Sequence, residues 1–169
     1  FVMYGGQQRV VEEIDFCYNK QLDFLIAKSR EAGISWAAMA WVLHKWIFQD
    51  GFRAGIASEK EALVDMKGSY NPLFGKARYM LYQLPDVWRP TGYRKDPRKG
   101  STGEKNPYDN TLRLINNDNK SEILGQTGES IGEGGRFSVF LIDEEQNLSN
   151  PTNADRALES TTNCRGGIG

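Results

Sequence analysis

Chemistry on a phosphate chain calls for a cation, a hydroxyl and a carboxylate, and this sequence places each of them at the end of an apolar run. The octapeptide Lys28-Ser29-Arg30-Glu31-Ala32-Gly33-Ile34-Ser35 follows Phe24-Leu25-Ile26-Ala27. In the pattern G-x-x-x-x-G-K-[ST], loop amides cradle phosphates, the lysine neutralises them and the hydroxyl helps hold magnesium. Aligned on Gly33 and Ser35, the chain has Ile34 at the lysine position and Lys28 at the first glycine position. A loop that wraps its phosphates brings its two ends together, so a long side chain at position 28 can supply the same charge. Gly33, Ile34 and Ser35 would offer backbone N–H groups and a positive dipole end to an anion. Arg30 adds a planar, permanently charged fork suited to the oxygens of a transferring phosphoryl group. A surface turn carrying two basic residues would read the same way locally.

The second half of such a site is a carboxylate pair. Phe140-Leu141-Ile142-Asp143-Glu144 is an apolar run ending in two acids. Asp143 would take Mg2+, partly through water and together with Ser35, and Glu144 would act as the base that orients the attacking water. A buried strand whose acids cap the next helix is the plainer reading of this stretch. The two motifs together, in this order, point to a nucleotide site.

Those residues need elements to hold them. Val10, Val11, Ile14 and Cys17 give Gln7 to Tyr18 helical spacing, and Phe24 to Ala27 reads as a short buried strand. Ile34 to Phe48 is apolar enough for a buried helix, closed by Asp50-Gly51. Phe52 to Ala57 is a second strand, followed by a capping-box pattern at Ser58-Glu59-Lys60-Glu61 and a helix broken by Asn71-Pro72. Leu73 to Leu84 resumes as a helix. Thr111 to Ile115 and Ser121 to Leu124 flank a hairpin turn at Asn116-Asn117-Asp118-Asn119, and Phe137 to Ile142 reads as a strand buried on both faces. Pro151 to Arg156 reads as a helix, and Ala157 to Ser160 as the start of another strand. The alternation predicts an α/β fold with a mostly parallel central sheet, its ligand beyond the carboxyl ends of the strands.

Composition sets the frame. The 169 residues suit one domain, with 39% hydrophobic and 25% charged residues. No apolar run approaches the roughly 20 residues that span a bilayer, so no membrane partner is expected. Cys17 and Cys164 lack metal-site spacing and read as reduced structural thiols. A net charge of −1 argues against whole-surface attraction to nucleic acid, and the basic stretch from Arg89 to Lys105 reads as a solvated loop. The lone His44 and Trp36, Trp41 and Trp46 read as packing residues, as does the helix face of Tyr79, Met80, Tyr82 and Leu84. Arg165-Gly166-Gly167-Ile168-Gly169 reads as a glycine-rich loop and the chain as an excised domain, 1–169, incomplete at both ends.

Four stretches resemble the ATPase part of the tailed-phage terminase large subunit, a DNA-packaging motor. Lys28 to Ser35 is similar to a deviant Walker A motif whose lysine stands at the start. Asn116 to Arg136 resembles the strand and glycine-rich approach to Walker B, Phe140 to Leu148 resembles Walker B itself, and Glu159-Ser160-Thr161-Thr162-Asn163 resembles the coupling motif. The resemblance implies a P-loop NTPase fold of the additional-strand, catalytic-glutamate class that hydrolyses ATP with Mg2+. It implies ATP binding by Lys28, Ser29, Arg30, Glu31, Ala32, Gly33, Ile34 and Ser35, with Gln8, ahead of Gln7, reading the adenine. Ser160, Thr161 and Thr162 would couple loss of the γ-phosphate to DNA movement. Lys28 and Arg30 would offset phosphate charge during hydrolysis. Glu133 stands where an arginine reaching a neighbouring subunit is expected, leaving Arg136 as the trans candidate.

The partners implied are double-stranded DNA, the portal protein and the terminase small subunit, in a homo-oligomeric ring at the procapsid portal in the host cytoplasm. An isolated domain would be monomeric and slow. The family's nuclease domain would lie after Gly169, so DNA cleavage is not expected of this chain. Another helicase-like motor, which signatures after Ser160 would favour, stays open, as does a nucleotide-binding assembly module that no longer hydrolyses, motivated by Ile34 and Glu133.

Overall fold

The computed structural model describes residues 3–28, 32–91, 93, 108–128, 131–132, 135–144, 147, 159 and 164–168. In chain order these form α1 (Gly5–Lys20), β1 (Phe24–Ile26), α2 (Ile34–Phe48), β2 (Arg53–Ser58), α3 (Glu61–Val64) and α4 (Leu73–Gln83). A 3-10 turn (Asp86–Trp88) precedes β3 (Asp109–Asn110), β4 (Arg113–Asn116), β5 (Ser121–Thr127), β6 (Val139–Asp143) and β7 (Arg165–Ile168). Among the described residues, no helix is long and apolar enough to cross a membrane.

Seven described strands form one sheet in the order β1-β7-β6-β2-β5-β4-β3. From β1 through β5 every neighbouring pair is parallel, and β4 and β3 add an antiparallel edge. The fold is therefore α/β, with a mostly parallel sheet flanked by helices, as the alternation predicts. β2 and β6 sit inside it and are buried almost throughout, which is why they read as continuous apolar runs.

The main core lies where α1, α2 and α4 cover one face of the sheet, with Trp46, Met39, Phe52, Phe74, Ile56 and Leu81 fully buried. α2 begins and ends where its apolar run does. Its carboxyl end is satisfied from the β4–β5 hairpin: Asn119 Nδ2 donates to the carbonyls of Trp46, Ile47 and Gln49, and Asn116 Nδ2 donates to Trp46 O. The asparagines expected only to make a turn thus also cap a helix that would otherwise leave its last carbonyls unpaired.

Four local expectations are corrected. The glycine-rich stretch Arg165 to Ile168 is the strand β7, lying between β1 and β6. A Cβ on Gly166 would stand 2.2 Å from the Phe24 ring and 2.7 Å from Leu141, so the absence of a side chain is what lets this strand fit. Within the strand expected at Ala157 to Ser160, Glu159 is helical and its neighbours lie outside the described residues, as does the helix expected at Pro151 to Arg156. The capping box at Ser58 to Glu61 does not form: Ser58 is the buried last residue of β2, and α3 starts after Lys60 without a side-chain cap. His44 is exposed rather than packed between helices, touching the Phe48 ring at 4.9 Å.

Trp41 and Trp46 are core residues as expected, while Tyr79 remains 39% exposed against Trp36 and Tyr70. Cys17 and Cys164 are free, and burial pushes the Cys164 thiol up to about 12. Most of the basic stretch, 94–107, lies outside the described residues.

Candidate nucleotide site

β1 and β6 run parallel, so their carboxyl ends open on the same edge of the sheet. The chain leaves β1 at Ile26, and Lys28 follows two residues on; α2 then starts after Gly33. Asp143 is the last residue of β6. These three pieces converge: Lys28 Nζ donates to Asp143 Oδ1 and to Ser35 Oγ, each at 3.1 Å. Ser35 Oγ in turn donates to the Asp143 carboxylate, at 3.1 and 3.0 Å from its two oxygens. The triad is largely sheltered, with side-chain exposures of 18% for Lys28 and 16% for Asp143.

Gly33 makes the turn into α2. Its φ of +69° is left-handed, which favours glycine, and a Cβ there would stand 2.4 Å from Gln7 Nε2 and push that amide aside. Gln7 is the buried partner of this loop: its Nε2 donates to Ala32 O at 3.1 Å, and its Oε1 accepts from Tyr4 N. Gln8, the residue favoured from sequence, is exposed and donates to Glu12 Oε1 instead. The helix explains the exchange. Gln7 shares the inward face of α1 with Ile14 two turns later, and one residue's rotation carries Gln8 off that face.

Ile34 occupies the usual lysine position because its side chain belongs to the core, where it is 7% exposed. A charged side chain packed in that environment would lose its hydration without a partner. Lys28, outside the core, carries the charge.

Glu144 follows Asp143 with a φ of +58°, a conformation that costs a residue with a Cβ roughly 1–2 kcal/mol. Its carboxylate accepts from Asn147 Nδ2 at 3.2 Å, and its backbone N–H donates to Ile168 O on β7 at 2.7 Å. Arg136 is exposed and precedes the amino end of β6, the opposite edge of the sheet from Asp143. The structure does not bring it to this chain's own triad. Ser29, Arg30, Glu31, Glu133, Ser160, Thr161 and Thr162 lie outside the described residues.

Two residues at this edge escape a motif search. Ser58 extends the β2–β6 register by one position beyond Ala57 and Ile142, which puts it beside Asp143; its hydroxyl is buried without a hydrogen-bond partner among the described residues. Lys76 reaches over from α4, close enough to feel the charges of Asp143, Glu144 and Lys28. Neither lies in a recognisable pattern, because β2 and α4 meet Asp143 only through the sheet order.

The donor set fits a hard cation. A carboxylate and a hydroxyl in contact offer oxygen ligands, and Mg2+ is commonly held by one or two carboxylates together with substrate phosphates. Among the described residues no group of three or more His, Cys, Asp or Glu could hold a metal by itself, so the remaining ligands would have to come from the substrate or water. No family model and no curated protein matches the chain.

Proposed function

We propose that this chain binds ATP with Mg2+ at the Lys28–Ser35–Asp143 triad and hydrolyses it, as the ATPase domain of a terminase-like DNA-packaging motor. The observation that carries the reading is the triad itself: residues chosen from two distant motifs meet within hydrogen-bond distance, with the lysine arriving from the start of its loop. The sheet order supports it as well. β7 stands between the strand that leads to Lys28 and the strand that ends at Asp143, and the three run parallel, so the two residues meet at one edge of the sheet.

In this reading the N–H groups in the first turn of α2 and the ammonium of Lys28 bind the phosphates, with Lys28 exchanging its bond to Asp143 for the substrate. Ser35 and Asp143 would hold the metal, which would supply positive charge to the phosphate oxygens. Glu144, placed past the strand end by its left-handed backbone, orients water and accepts its proton. Gln7 ties α1 to the loop through Ala32, and Gln8, exposed on the same helix, stays the residue proposed to read the adenine. Arg30 as a cis contributor, Ser160, Thr161 and Thr162 as coupling residues, and Arg136 as an arginine offered to a neighbour remain parts of the proposal. So do the ring assembly, the double-stranded DNA, portal and small-subunit partners, and the location at a procapsid portal.

A nucleotide titration paired with phosphate release tests this directly. The unaltered chain should bind Mg-ATP, and Lys28→Ala should weaken binding by about tenfold or more, the value of a hydrogen bond to a charged group. Unchanged binding in Lys28→Ala would show that the lysine at the start of the loop is not the phosphate ligand.

A further inference from the structure

Lys76 is a half-buried cation with no carboxylate within ion-pair distance among the described residues. Its ammonium donates to the carbonyl of Asn71 and stands 5.9 Å from the centre of the Trp36 ring. Trp36 directly follows Ser35, so this contact sets Lys76 beside the first turn of α2, on the face of the sheet that α2 and α4 both cover. The Trp36 ring is itself held edge-on by Tyr79, one helical turn along α4 from Lys76.

The neighbouring charges are Asp143 and Glu144 on one side and Lys28 on the other. Asp143 is already engaged by Lys28 and Ser35, and Glu144 by Asn147. Burial, joined by repulsion from Lys28, draws the Lys76 ammonium below its ordinary range, against the pull of the two acids. A cation that has given up water without gaining a carboxylate is stabilised when an anion arrives.

We propose that Lys76 is a second phosphate ligand, contacting the terminal phosphate of a bound nucleoside triphosphate. The inference rests on the ATP-site reading and deepens it. Lys28 stands just after β1, whereas Lys76 comes from α4, beside the first turn of α2. A diphosphate lacks the terminal phosphate assigned to Lys76 and leaves its ammonium as it is. Lys76 therefore discriminates triphosphate from diphosphate.

Binding of Mg-ADP and of a non-hydrolysable Mg-ATP analogue to the unaltered chain, Lys76→Gln and Lys76→Arg tests the assignment, with circular dichroism verifying the fold. Lys76→Gln should weaken the triphosphate by about tenfold or more while leaving the diphosphate within about twofold, and Lys76→Arg should restore most of the difference. If the unaltered chain binds both nucleotides and Lys76→Gln weakens both equally or neither, the Lys76 assignment is wrong and the site reading stands. If the unaltered chain binds neither nucleotide, the site reading fails and this inference falls with it.

Discussion

The backbone N–H of Glu144 donates to the carbonyl of Ile168 at 2.7 Å, extending the β6–β7 ladder one residue past Asp143. The residue proposed as the base is therefore held by the neighbouring strand while its own backbone lies in the left-handed region. Strain of this kind persists where surrounding structure fixes it, and it concentrates at functional sites.

Substitution of Glu144 should separate chemistry from stability. Glu144→Gln keeps the size of the side chain and removes its basicity, so nucleotide binding should persist while turnover falls by about 10²–10⁴-fold. Glu144→Gly relieves the left-handed backbone and should raise the unfolding free energy by about 1 kcal/mol in a urea titration, with turnover lost. Normal phosphate release from Glu144→Gln would remove Glu144 from the mechanism.

Gly166→Ala should act on fold and site together. The added methyl would meet Phe24 and Leu141 inside the sheet, an overpacking that typically costs about 1–3 kcal/mol. Because β7 lies between β1 and β6, the same push separates Lys28 from Asp143. Thermal denaturation should show a lower midpoint and nucleotide titration a weaker affinity. A destabilised variant with unchanged affinity would mean that the triad does not depend on the β7 spacing.

Acid should loosen the same strand. Burial raises the Asp23 carboxyl, but the side-chain and backbone hydrogen bonds from Arg165 outweigh it and hold the group below 3.8. A lowered folded pKa means stability that is present above the unfolded value and lost as pH falls through the folded one. Denaturation midpoints should therefore drop as pH is taken below about 3.8, and Asp23→Asn should flatten that part of the profile. Equal acid dependence in the variant would place the sensitivity elsewhere.

Much of the fold was legible because it is written locally. The apolar run from Ile34 to Phe48 became α2 with the same ends, and the polar cluster Asn116 to Asn119 became the end of β4 and most of the turn to β5. The hydroxyl and carboxylate of the proposed site could be named from Ser35 and Asp143, since one opens an apolar run and the other closes one, each at an element boundary. The choice between Gln7 and Gln8 was not legible. Both lie on one helix, and only the packing of α1 against α2 decides which side chain turns inward.

By itself, the sequence determined the strand, loop and helix that lead from Phe24 to Phe48, the acid-tipped strand ending at Asp143, and the chemical types available to a phosphate. These depend on neighbours within a few residues. Tertiary structure alone decided that Arg165 to Ile168 is an interior strand, that Gln7 faces the loop, and that Lys76 and Ser58 join Asp143 at one edge. The reason is physical: glycine has low intrinsic preference for a strand, and its place in β7 is set by the rings and aliphatic side chains that close over it from β1 and β6.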